Sequence, residues 1–148
     1  MYEEGYRPIP FKDEQTGLWG HINVNGNIVV GCQWKDVYLF TEGLGAVKDE
    51  HGKWGFVDES GEIIIPCQWE AVDVFCEGLA CVQAENGKWG FIDKSGNVVL
   101  PCKWRDVTGF HNGRAEVKKW LFDFWHYIDR NGNSIKGKEK KRDIFIEN

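Results

Sequence analysis

The chain has 148 residues, a net charge of -5, 42% hydrophobic and 28% charged residues, and five cysteines. Those figures describe one ordinary folded domain, long enough to bury a core without cross-links. They exclude a coiled coil and a secreted disulfide mini-protein, and no run approaches the roughly 18 apolar residues that a membrane helix needs.

The charge is unevenly placed. Residues 136–148 carry Lys136, Lys138, Lys140, Lys141 and Arg142 against Glu139, Asp143 and Glu147, a local net of +2 that leaves -7 on the rest. An acidic body lacks the basic face that phosphate contact requires, so nucleic acid is not expected as a partner, nor, without an apolar span, is a membrane; the run Lys136–Arg142 could touch anionic lipid or nucleic acid but reads first as a solvated terminus. It would steer a basic protein instead. The opening MYEEGYRPIP has no basic-then-apolar signal pattern, and the cysteine count is odd. A reducing cytoplasmic location is therefore the expectation.

The organisation is a repeat. Trp19, Trp54 and Trp89 are 35 residues apart, as are Trp34, Trp69 and Trp104, and Cys32, Cys67 and Cys102. Units 19–53 and 54–88 are identical at 16 of 35 positions. A third unit spans 89–124, a fourth start appears at Trp125, and Glu4-Gly5-Tyr6 resembles the Glu-Gly-Leu segment of a unit without its front. Three full units flanked by two half units make a repeat domain over 1–135, followed by a basic and apolar tail over 136–148. Units this small cannot bury an apolar face alone, so neighbours must pack on one another and the half units complete the terminal sheets.

Within 54–88 the elements follow in order. Trp54 to Asp58 reads as a strand, and Glu59-Ser60-Gly61 as a bulged hairpin turn. Glu62 to Pro66 reads as a second strand that ends at Pro66, because proline cannot donate to the ladder. Cys67 to Phe75 reads as irregular or briefly extended. Leu79 to Gln83 is a third strand, and Glu85-Asn86-Gly87 turns back to Trp89. No helical period is present. The fold class is all-β, with three-stranded antiparallel meanders stacked or arranged radially.

Several residues imitate chemistry. Asp58 and Asp93 stand in turns with Gly61 and Gly96, as in calcium loops, but without the alternating carboxylates and distant bidentate glutamate. The recurring cysteines follow the repeat and form no metal spacing, so they read as small packing thiols. His21, His51, His111 and His126 hold different places in their units, and no nucleophile–base set or phosphate loop is apparent. No catalytic residue, metal or cofactor is expected.

Lys53-Trp54-Gly55-Phe56-Val57-Asp58, Ser60-Gly61-Glu62-Ile63-Ile64-Ile65-Pro66 and Phe75-Cys76-Glu77-Gly78-Leu79 resemble the WG-repeat (KWG β-repeat) family. The resemblance covers about 19–135. The family pattern tends to carry Pro and Tyr where this chain has Cys67 and Trp69. The resemblance implies β-hairpin repeats, mostly of bacterial proteins, that act as interaction modules with no established catalytic residues. Some small all-repeat proteins of this kind look like toxin-neutralising immunity proteins.

The repeat breaks at one place. Where the first two units have polar turns, Asp49-Glu50-His51-Gly52-Lys53 and Glu85-Asn86-Gly87-Lys88, the third reads Lys118-Lys119-Trp120-Leu121-Phe122-Asp123-Phe124-Trp125. An apolar hairpin tip needs a cover. Ile144, Phe145 and Ile146 of the tail, a protein partner, or a second copy in a homodimer would each supply one. Trp120, Leu121, Phe122 and Phe124 are therefore candidate partner-binding residues. Tyr38 and Asp73, which differ at equivalent places in their units, are two more. The expected function is non-enzymatic protein binding, as an immunity-type inhibitor or scaffold facing a basic, toxin-like partner. The alternative is carbohydrate or cell-wall binding through exposed tryptophan faces.

Overall fold

Short β-forming runs separated by two-residue and bulged turns produce a chain of antiparallel strands, and the computed structural model describes residues 7–135 of it. The first sheet contains β1 (Ile9–Lys12), β2 (Trp19–Ile22) and β3 (Ile28–Trp34) in that order. The second contains β4 (Asp36–Val37), β5 (Gly45–Lys48), β6 (Trp54–Val57) and β7 (Ile63–Trp69). The third repeats this with β8 (Ala71–Val72), β9 (Leu79–Gln83), β10 (Trp89–Asp93) and β11 (Val98–Trp104). The fourth holds β12 (Asp106–Val107), β13 (Arg114–Lys118) and β14 (His126–Asp129). The second, third and fourth sheets each join the last two strands of one sequence unit to the opening of the next. The half units accordingly supply β1 and β14. Glu4-Gly5-Tyr6 and the tail, with its Ile144 to Ile146 cover and its basic run, lie outside the described residues. No helix among the described residues is long and apolar enough to cross a membrane.

The Trp-Gly pair has a steric cause. Trp54 lies opposite Trp69 and Phe56 opposite Ile65, so Gly55 alone faces three residues of β7. At this bulge the β7 backbone folds over β6, and a Cβ on Gly55 would sit 2.3 Å from the Ile65 carbonyl oxygen. Gly20 and Gly90 meet the same obstacle at 2.1 and 2.5 Å. Only glycine allows that approach. The Cys67 thiol reaches past the bulge to the Val47 carbonyl of β5, the residue opposite Gly55. Cys32 and Cys102 do the same to Phe11 and Val82.

Proline does not end the second strand, contrary to the sequence expectation. β7 runs through Pro66 and Cys67 to Trp69, and β11 through Pro101. Both strands lie at a sheet edge and both prolines fall within the bulge, where a missing N–H costs no regular ladder bond. After a bend at residue 70 the chain enters β8 and joins the next sheet.

Three buried clusters link consecutive sheets in chain order. At the centre of each, an edge-to-face aromatic pair recurs with ring centroids 4.7, 4.8 and 4.9 Å apart: His21–Phe40, Phe56–Phe75 and Phe91–Phe110. Such pairs add to the large burial term of the rings. At three of the four repeat-opening tryptophans, Lys12, Lys48 and Lys118 place their ammonium groups 5.4–5.9 Å from the Trp19, Trp54 and Trp125 rings, whereas Trp89 pairs with Gln83.

Candidate functional site

The segment after β13 makes a tight turn in which the Asp123 amide donates to the Trp120 carbonyl at 3.0 Å. Its shape is held by the half-buried Asp123 side chain. Oδ2 accepts from the Lys119 amide at 3.0 Å, Oδ1 accepts from the Phe124 amide at 2.9 Å, and His126 Nε2 lies 3.2 Å from Oδ1. These donors, the Lys119 amide foremost, hold the Asp123 carboxyl below its ordinary range. The turn thereby presents its apolar side chains outward: Trp120 is 61% exposed, Leu121 53%, Phe122 90% and Phe124 57%. Beside it lies a depression of about 400 Å³ lined by Lys103, Trp104, Lys119, Trp120, Asp123 and His126 among others.

Tyr38 and Asp73 are brought together at a different place. With Pro10, Val37, Leu39 and Val74 they line an open groove of about 380 Å³. Tyr38 stacks on Trp54 with ring centroids 4.5 Å apart. Partial burial pushes its hydroxyl pKa up, helped by Asp36 and Asp73. The six candidate residues thus form two sets. Only the first is a contiguous exposed aromatic surface.

Sequence reasoning missed Asp123 as the residue that shapes the tip, and it missed a carboxylate ladder. The turns Thr41–Leu44, Cys76–Leu79 and His111–Arg114 are two-residue hairpins with reciprocal backbone bonds. Both central residues have positive φ in each: Glu42 and Gly43, Glu77 and Gly78, Asn112 and Gly113. Asparagine suits that conformation, whereas glutamate does not. The glutamates have another use. The Glu42 carboxylate accepts from the amides of Glu77 and Gly78 at 2.8 and 3.0 Å. The Glu77 carboxylate accepts from Asn112 and Gly113 at 2.6 and 2.9 Å. These amides, that of Gly113 foremost, lower the Glu77 pKa. The available signal was a glutamate where the turn type prefers asparagine.

A family model described as WG containing repeat matches residues 19–54, 54–89 and 89–119. The chain belongs to the WG-repeat family. No curated protein matches the sequence significantly. The third WG repeat leaves the family pattern at residue 119, one residue before Trp120, so the exposed tip begins where the match ends. Within the WG repeats, Trp34, Trp54, Trp69 and Trp104 are buried, and Trp19 and Trp89 are half-buried. The repeated tryptophans are core rather than an exposed platform.

Burial and hydrogen bonding account for the shifted thiols and hairpin aspartates of the WG repeats. Burial pushes the Cys67 thiol to about 11 and the Cys81 thiol to about 12. Cys76 Sγ lies 3.8 Å from His111 Nδ1. Burial raises that thiol's pKa, and Glu77, Glu42 and Asp73 raise it further, which opposes a nucleophilic thiolate. The Asp58 and Asp93 carboxylates each cap their own hairpin, accepting from the amides two and four residues ahead at 2.9–3.0 Å. They act as turn residues.

Proposed function

We propose that this WG-repeat chain is a non-enzymatic protein-binding module whose principal anchor is the tip formed by Trp120, Leu121, Phe122 and Phe124. The observation that carries the reading is the exposure of four large apolar side chains on a turn whose backbone is fixed by Asp123. Exposed apolar clusters of this kind are anchors for protein partners. A pre-shaped turn loses little entropy on binding. Neutralisation of a basic, toxin-like protein in the cytoplasm, or scaffolding, is the finer form of the proposal, supported by the acidic body and the steering it provides. The unreactive thiols and engaged carboxylates favour binding over catalysis. The carbohydrate alternative draws no support from the repeated tryptophans, four of which are buried and two half-buried.

The test is affinity capture from the encoding organism with the full-length protein and with Leu121→Ser/Phe122→Ser, both checked for equal thermal unfolding. One stoichiometric protein, lost with the folded double variant, is the expected result. Equal recovery by both baits would remove the tip as anchor. Absence of any stoichiometric protein with the wild-type bait would overturn the protein-binding reading.

A further inference from the structure

We propose that the turn Glu42–Gly43 is a receptor for a carboxylate supplied by another molecule, either an acidic side group or the terminal carboxylate of a polypeptide. The argument comes from the ladder itself. The same turn occurs three times with the same backbone signature, φ of 52–56° on the first central residue and 78–84° on the glycine. Two successive amides on such a turn point to one side and make a small concave donor pair, the arrangement that binds anions in backbone nests. At the second and third turns this pair holds a carboxylate from the preceding turn, through two bonds each of 2.6–3.0 Å. At the first turn, the amides of Glu42 and Gly43 have no carboxylate partner among the described residues.

The surroundings bring a cation, Lys94, near the turn beside the acids Glu42 and Glu59. The first turn faces a depression of about 530 Å³ lined by Arg7, Phe40, Thr41, Glu42, Gly43, Glu59 and Lys94. A cation also flanks the occupied second turn. There Arg130 donates to the Glu77 carbonyl at 2.6 Å and comes within 3.7 Å of the space beside Gly78. Lys94 lines the depression at the first turn, and it follows Glu42 by 52 residues as Arg130 follows Glu77 by 53. The acid within reach is Glu59, whose Oε2 is 3.9 Å from the space beside Gly43 but makes no hydrogen bond to the turn amides. The Glu42 carboxylate faces the other way, onto the second turn.

Lys12 pairs with Trp19 as Lys48 pairs with Trp54, so counting back in the sequence puts Arg7 in the place of Gly43. The inference goes beyond the protein-binding proposal and does not depend on the aromatic tip.

Amide NMR of the full-length protein tests it directly, with three probes: N-acetylglycine, N-acetylglutamic acid α-amide and the neutral N-acetylglutamine α-amide. The expected result is a saturable downfield shift at Glu42 and Gly43 with one or both acids and none with the neutral probe. Which acid binds more tightly distinguishes a terminal carboxylate from a side-group one. The amides of Glu77, Gly78, Asn112 and Gly113 should stay still, because they already hold a carboxylate. Lys94→Glu should weaken the binding about fivefold and Glu59→Gln should strengthen it about threefold, the size of single exposed charge effects. Glu42→Asn keeps a turn residue like Asn112 and removes the carboxylate from the second turn, so Glu77 and Gly78 should then respond too. Equal shifts with the neutral probe would overturn the proposal. So would silent Glu42 and Gly43 amides beside responsive Glu77 and Gly78 amides in that variant. A Glu4→Gln change that alone creates acid binding would also overturn it, by showing that the protein fills its own receptor.

Discussion

The hairpin at 49–53 and the segment 119–125 occupy the same point of the repeat and carry opposite side chains on a similarly fastened backbone. In the first, Asp49 Oδ1 accepts from the His51 and Lys53 amides at 2.9 Å, and the tip is polar. In the second, the aspartate stands at the far side of the turn, and Asp123 accepts from Lys119 and Phe124. One carboxylate fixes the path in each case. The side chains between are then free of any structural duty, and the third repeat fills them with Trp, Leu and Phe. The frame is set by bulges and aromatic pairs that recur at 35 residues. The tips are where a unit can differ without disturbing its neighbours.

The frame side of this comparison is broken most severely by Gly55→Ala. The obstructing atom is backbone, 2.3 Å away, so relief requires strands to separate. A loss of about 3 kcal/mol or more in urea unfolding is expected. Gly109→Ala, with open space and no positive φ, should cost less than about 1 kcal/mol in the same measurement.

His21→Phe sharpens the comparison among the units. His21 is fully buried where the other units have Phe56 and Phe91, with Nε2 2.7 Å from the Tyr38 carbonyl oxygen and Nδ1 without a partner. Burial lowers its pKa, and the bond to the Tyr38 carbonyl only partly opposes this. The folded state therefore binds fewer protons than the unfolded one. Stability should fall as pH drops below the ordinary histidine value of about 6.5. The phenylalanine variant should lack that loss, a relative gain on the order of 1 kcal/mol at pH 5 that shrinks toward pH 8.

At the tip, Asp123→Ala should cost about 1 kcal/mol, as loss of a capping side chain does, and speed hydrogen exchange at the Lys119 and Phe124 amides. Because the folded carboxyl has a lowered pKa, its hold is complete at neutral pH. That hold is lost as pH falls below about 4 and through the lowered value. The smallest effect on stability belongs to Leu121→Ser/Phe122→Ser, within about 0.5 kcal/mol by thermal unfolding, as for exposed positions generally. A larger loss would make the tip part of the core and erase its contrast with 49–53.

The period, the hairpins and the strand Leu79–Gln83 were legible because each depends on residues close in sequence. Glycine at φ > 0 and alternating β-formers announce themselves locally. Pro66 misled because its meaning depends on a bulge set by Gly55 on another strand. The Glu42 and Glu77 ladder was hidden for a related reason, since its bonds join residues 35 apart whose own turns would prefer asparagine. The apolar tip was visible as a departure from the repeat. The role of Asp123 in shaping it was not, because an aspartate among aromatics reads the same whether it caps a turn or merely faces solvent. The separation of Tyr38 and Asp73 from the tip needed the sheet order.

Asn112 gives the ladder a direction and a terminus. A contact that passes from each unit to the next, always in the same sense, is one that a molecule could also pass to its neighbour. Head-to-tail contacts of that kind do not close on themselves and grow into filaments. With an amide at the third turn in place of the carboxylate found at the first two, that turn offers no charged group for another molecule's Glu42–Gly43 amides to capture. If the Glu42–Gly43 turn captures carboxylates as proposed, this single residue choice would keep an internal fastening from propagating between molecules.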